Sequence, residues 1–228
     1  MPAAYDDTSP ALRHLRRRDS KLAAVIDAIG PLDCAPPDAT PFEFLCFHIV
    51  GQMLSTKAAD VIYARLRALV GNDIAPGRVR ALSADELRGI GLSRRKAEYM
   101  LGLADTVLAG GIDFQALSSM PDTDVMRTLT ALRGVGAWTA KMYLIFMLGR
   151  EDVLPVEDGA FMQAWRWAYG EAGSELERVR EKAARWAPYR SVGARYLYRA
   201  LDTGLTKTPW EEFARAARGR AGRGDLPD

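Results

Sequence analysis

Leu132-Arg-Gly-Val-Gly-Ala-Trp-Thr-Ala140 is the stretch on which the reading of this chain turns. Before it, Val125, Met126, Leu129 and Leu132 recur at helical spacing. After it, Ala137 to Leu148 is apolar nearly all round, which predicts a buried helix. The stretch therefore reads as two helices joined by a tight Gly-Val-Gly turn. A glycine on each side of Val135 allows positive φ and close approach of another backbone. The N–H groups of the turn and of the next helix then point outward together. That makes an anion site from backbone alone, favoured by the helix dipole. A second feature follows, the acidic turn Leu154-Pro-Val-Glu-Asp158, with a carboxylate at the mouth of another helix.

Composition narrows the classes. The 228 residues can bury one core or two lobes, and 48% of them are hydrophobic. A formal charge of +2 makes any basic surface local. Two cysteines, Cys34 and Cys46, are too few for a disulfide framework or an iron–sulfur cluster. With only His14 and His48 besides, no metal site can be read from side chains. His48, alone on an apolar helix, reads first as a satisfied core histidine. No run approaches a membrane span and no signal-peptide core opens the chain, so a cytoplasmic protein is expected.

Caps and period-3.6 patterns recur along the chain, and strict alternation is almost absent. Residues 1–19 read as a solvated, frayed helix. Ser20 is placed as the cap of a helix ending at Gly30. Thr40-Pro-Phe-Glu43 and Ser83-Ala-Asp-Glu86 read as capping boxes, and Ser174-Glu-Leu-Glu177 as another. Lys57–Val70 and Ser93–Leu108 are amphipathic helices, and a short turn is expected near Phe114. Arg215–Asp228 reads as a loose tail. The expectation is an all-α chain of ten or eleven helices.

The hairpin stretch and the acidic turn resemble the helix-hairpin-helix DNA glycosylases with a Gly/Pro-rich loop and an essential Asp. Within them the chain is similar to the 3-methyladenine DNA glycosylase II (AlkA-like) branch. Three further stretches carry the resemblance. They are Val50-Gly-Gln-Met-Leu-Ser-Thr-Lys-Ala-Ala59, Leu87-Arg-Gly-Ile-Gly-Leu-Ser-Arg-Arg-Lys-Ala97, and Trp186-Ala-Pro-Tyr-Arg-Ser191 with Tyr196-Leu-Tyr198. Together they span about residues 40–205 in the family's order. The resemblance implies two helical lobes with a helix-hairpin-helix motif, residues 41–150 as the central lobe and 1–40 with 151–228 as the terminal lobe, and a base turned out of the duplex and excised in the interlobe cleft. It implies double-stranded DNA with alkylated bases as partner, a monomer in the bacterial nucleoid, and 3-methyladenine or 7-methylguanine as the lesion. No cofactor is implied, although the family hairpin can hold a monovalent cation through backbone carbonyls.

The resemblance also distributes roles. Gly134, Val135, Gly136, Thr139, Lys141 and Lys57 would meet DNA phosphates; Arg94, Arg95 and Lys96 are further cations near the same motifs. Gln52, Met53 and Leu54 lie where relatives insert an apolar wedge, which by position is Met53. Trp138, Met142 and Phe161 are candidates for the base pocket. For each the alternative is ordinary core. Asp158 is the catalytic candidate, with Glu157 as its rival. Alignment through Trp138 favours Asp158, and an N-cap is its simpler reading. Strand-cutting relatives carry a lysine where this chain has Trp138, so no Schiff base is expected. Two other readings stay open: a non-catalytic hairpin DNA-binding protein, and a glycosylase for oxidised or mismatched bases.

Overall fold

The computed structural model describes residues 4–221. Its helices are α1 Pro10–Arg18, α2 Ser20–Ile29, α3 Pro41–Gly51, α4 Thr56–Leu69, α5 Pro76–Arg80, α6 Ala84–Gly89 and α7 Arg94–Leu108. They continue as α8 Phe114–Leu117, α9 Asp122–Thr130, α10 Ala137–Met142, α11 Gly159–Tyr169, α12 Leu176–Ala183, α13 Arg190–Asp202 and α14 Trp210–Ala221. A π-helical turn, Tyr143–Met147, prolongs α10. One two-residue antiparallel pair joins Ala4–Tyr5 to Leu32–Asp33. The all-α expectation holds. The count exceeds it because short pieces such as α5 carry too few residues to show a period.

The chain divides into two compact units. Met1–Ala35 with Gly149–Asp228 is one, and Pro36–Leu148 is the other.

In the discontinuous unit, α13 packs on α2 and α11, and α2 also meets α1 and α14. Leu12, Leu15, Leu22, Ile26, Phe161, Trp165, Trp186 and Leu197 fill its core. A buried carboxylate organises this unit. Asp19, rather than Ser20, caps α2, accepting from Lys21 N–H and Leu22 N–H at 3.1 Å each. Its other oxygen accepts from Tyr169 Oη at 2.8 Å and Trp186 Nε1 at 2.9 Å. Every lone pair that burial removes from water is thus given a donor.

Three sequence expectations are corrected here. The frayed N-terminal helix is α1, with Ala11, Leu12 and Leu15 buried. The box at Ser174 does not form: α12 starts after Glu175, and Ser174 Oγ donates to Glu171 O instead. The loose tail is helical through Ala221, as the end of α14, whose buried residues Phe213 and Ala214 lie just before it; the rest of that stretch lies outside the described residues.

In the continuous unit α3 is central, packing on α4, α7 and α10. Phe42, Phe44, Leu45, Cys46, Ile49 and Val50 are all buried, as a helix apolar on every side requires. Ser83 and Glu86 complete a capping box. At Thr40 only half forms, because Glu43 accepts from Tyr63 Oη at 2.7 Å. Gly91, at φ +109°, faces Ile62 of α4. The turn at Gly89-Ile-Gly91 is thus shaped by packing on α4.

Candidate active site

The hairpin is built as its sequence prescribes. Helix α9 ends at Thr130, the turn crosses Gly134 at φ +91°, and α10 begins after Gly136. A β-carbon at Gly134 would collide with the Tyr99 ring, so α7 and the turn meet only because that position is bare. Gly136 is the N-cap of α10 and offers no side chain to the N–H groups of Ala137, Trp138 and Thr139. The start of α10, where N–H groups point along the helix axis and the dipole favours negative charge, is thus left without a side-chain cap. Val135 is buried, and so is the Thr139 side chain. Thr139 can therefore serve a phosphate only through its backbone. Lys57 is exposed at the start of α4 and Lys141 is half-buried.

Trp138 is half-buried, its ring 5.5 Å from that of His48. His48 stacks on Phe44 at 4.1 Å and its Nδ1 pairs with Phe44 O at 2.9 Å, the core role that the sequence suggested. Met142 is buried one turn beyond Trp138. It packs as core and offers no open face.

The turn between α3 and α4 is unusual. Met53 sits at φ +58° and is fully exposed, and Leu54 is exposed beside it. Gln52 Nε2 donates to Gly134 O at 2.8 Å, which joins this turn to the hairpin. The hairpin carbonyls of Leu132 and Gly136 accept from the N–H groups of Val135 and Ala140.

The acid lies in the discontinuous unit. Pro155 O accepts from Asp158 N–H at 3.0 Å, closing a turn, and Leu154 and Val156 anchor that turn in the core. Asp158 is buried and caps α11, with Oδ1 accepting from Phe161 N–H at 2.7 Å. Glu157 is exposed. Phe161 is wholly buried, 5.8 Å from Trp165 and 6.3 Å from Tyr198. It is core, so its link to the acid runs through its backbone.

Three residues near the acid had no assigned role in the sequence. Burial, followed by the Asp158 charge, pushes the Tyr198 phenol far above its usual range. It stays a proton donor beside the carboxylate. Arg190 grips Asp152 with two guanidinium bonds, at 2.7 and 3.0 Å, and Ser191 bonds the backbone of Val153. The run leading to Asp158 is thus fixed from α13. These residues sit in the Tyr-Arg-Ser and Tyr-Leu-Tyr motifs, but their partners lie almost forty positions away. Among the described residues no group of three His, Cys, Asp or Glu side chains could hold a metal ion, and no helix is long and apolar enough to cross a membrane.

The profile of HhH-GPD superfamily base excision DNA repair proteins matches residues 47–188, a span that takes in the turn at Met53, the hairpin, the acidic turn and α12. The chain belongs to that superfamily. A DNA-3-methyladenine glycosidase from Bacillus halodurans shares its fold with a TM-score of 0.78. That structure is 34% identical over 95% of this chain and 100% of its own. The 3-methyladenine DNA glycosylase Mag1 of Schizosaccharomyces pombe, solved in complex with abasic-DNA, has a TM-score of 0.75. It is 25% identical, over 84% of this chain and 96% of that one. The alkylbase DNA glycosidase-like protein mag2 of the same yeast is 26% identical over 84% of this chain and 93% of its own. This member of the superfamily thus aligns with proteins of its own size over nearly their whole lengths.

Proposed function

We propose that this HhH-GPD protein is a monofunctional DNA glycosylase that hydrolyses the N-glycosidic bond of alkylated bases, 3-methyladenine foremost, in double-stranded DNA. The observation that carries the reading is Asp158, a buried carboxylate fixed at the N-terminus of α11. Breaking the glycosidic bond leaves positive charge on the sugar. A carboxylate held in a fixed place stabilises that charge and orients the attacking water. A base alkylated on a ring nitrogen is already cationic and leaves readily. Little acid catalysis is then needed, and the half-exposed Trp138 ring suits a cationic base through its π-face.

The backbone of Gly134–Thr139 takes a phosphate without reading bases, with Lys57 and Lys141 as supporting cations. Met53 enters the gap left by the flipped nucleotide. Trp138 offers no amine for a Schiff base, so the strand is left uncut. No cofactor enters the scheme. A monovalent cation on the hairpin carbonyls would only strengthen the phosphate grip.

The deciding experiment is mass spectrometry of bases released from methylated duplex DNA. Wild-type protein is expected to release 3-methyladenine and Asp158→Asn none. Retained release by Asp158→Asn would refute the mechanism. A covalent adduct trapped by borohydride would refute the absence of strand cleavage.

A further inference from the structure

Lys96 stands among exposed cations on α7, where a phosphate contact is the natural expectation. The structure turns it the other way. Its Nζ donates to Val50 O at 2.8 Å and to Gln52 O at 2.6 Å, and its side chain is partly buried. Those carbonyls end α3, where helical oxygens lack partners and a cation is favoured. Burial pushes the ammonium below its usual range, a cost incurred for this contact. The residue it grips is itself anchored, since Gln52 Nε2 reaches Gly134 O at 2.8 Å. Leu54 N–H closes the turn on Gly51 O at 3.1 Å. Between these fixed points Met53 is held left-handed and fully exposed. A side chain in that region is strained, and it persists only where the surroundings over-determine it.

We propose that Lys96 is a positioning residue that, with Gln52, clamps the α3–α4 turn and presents Met53 as a preformed wedge. This rests on Met53 being the wedge of the proposed function. The ordering cost of the turn is then met when the protein folds, before DNA arrives. The effect is confined to DNA with a gap to fill, because the ammonium itself does not meet phosphate.

The test compares wild type, Lys96→Met, Met53→Ala and the double variant on an abasic-site duplex and an undamaged duplex across a salt series. Lys96→Met is expected to lose about tenfold in abasic-site affinity. It should keep wild-type affinity and salt slope on undamaged DNA, and add little to Met53→Ala. A slope reduced by about one with equal loss on both duplexes would make Lys96 a phosphate contact and overturn the proposal. Full additivity with Met53→Ala would overturn it too. If Met53→Ala leaves abasic-site affinity intact, the wedge reading fails and the clamp with it. If Met53→Ala loses affinity and Lys96→Met does not, the clamp alone fails. Thermal melting checks the folding of each variant. Should Lys96→Met not fold, Lys96→Gln, which keeps a donor on a shorter reach, takes its place with the same expectations.

Discussion

Ser191 holds Val153 from both sides: its Oγ accepts from Val153 N–H at 2.8 Å and donates to Val153 O at 3.2 Å. The segment that leads to Asp158 is thereby bonded to the first turn of α13. Ser191→Ala strands a buried N–H group, which costs about 1–3 kcal/mol. Chemical denaturation should show that loss. Single-turnover base release should slow while affinity for undamaged DNA is kept, because the hairpin is untouched.

Asp158 combines two duties that one substitution separates. Asn caps a helix about as well as Asp. Asp158→Asn is therefore expected to melt within about 1 kcal/mol of wild type and to release no base. Asp158→Ala should lose about 1 kcal/mol more, with the cap. Glu157→Gln, at an exposed site, should keep activity within a few-fold. Dead Glu157→Gln beside active Asp158→Asn would reassign the acid.

The two glycines of the hairpin predict opposite failures. Gly134→Ala forces a side chain to φ +91° and into Tyr99, so it should cost about 2 kcal/mol or more of stability. Gly136 has nothing within 4 Å of a would-be β-carbon, and its φ of −93° suits any residue. Gly136→Ala should fold within about 1 kcal/mol of wild type and, on the proposed phosphate grip, still weaken DNA binding, because the added methyl would stand in the phosphate's way. Melting curves and titrations at fixed salt separate the two.

Alkaline pH should unfold this protein through its tyrosines. Burial raises the phenols of Tyr5, Tyr63, Tyr143, Tyr169, Tyr196 and Tyr198. Tyr143 and Tyr196 are each pushed up to about 12. An unfolded phenol ionises near 10. Below that pH both states hold the proton and the contribution is fully present. Above it the unfolded chain sheds protons that the folded chain keeps, so stability falls as pH rises toward the folded values. Denaturation midpoints should drop steadily above about pH 10, and absorbance near 295 nm should show these phenols ionising only as the chain unfolds. Phenols titrating freely in the folded state would contradict the burial.

Local patterns carried much of the fold. Apolar faces placed α3, α4, α7 and α10, because burial imposes a period that sequence displays. The cap at Asp158 was legible because a helix entry needs an acceptor there. What escaped depends on direction or distance. Lys96 reads as a surface cation until the carbonyls of Val50 and Gln52 are seen under it. Phe161 and Met142 lie on helix faces whose spacing cannot separate pocket from core, and tertiary packing buries both. Ser20 lost the cap of α2 to its neighbour Asp19, whose carboxylate also answers Trp186, 167 positions away. Arg190, Ser191 and Tyr198 act on partners about forty residues off, which no local spacing encodes.

The division of the chain has a consequence in time. Pro36–Leu148 leaves the ribosome as one uninterrupted run and can close on itself at once. The first 35 residues emerge earlier, yet α2 lacks α11, α13 and α14, on which it also packs. Tyr5 must wait for Glu151, 146 positions later, and Asp19 for Trp186. On the proposed reading, a half-synthesised chain has its phosphate grip before its acid. It could hold DNA for some seconds without being able to cut a base from it.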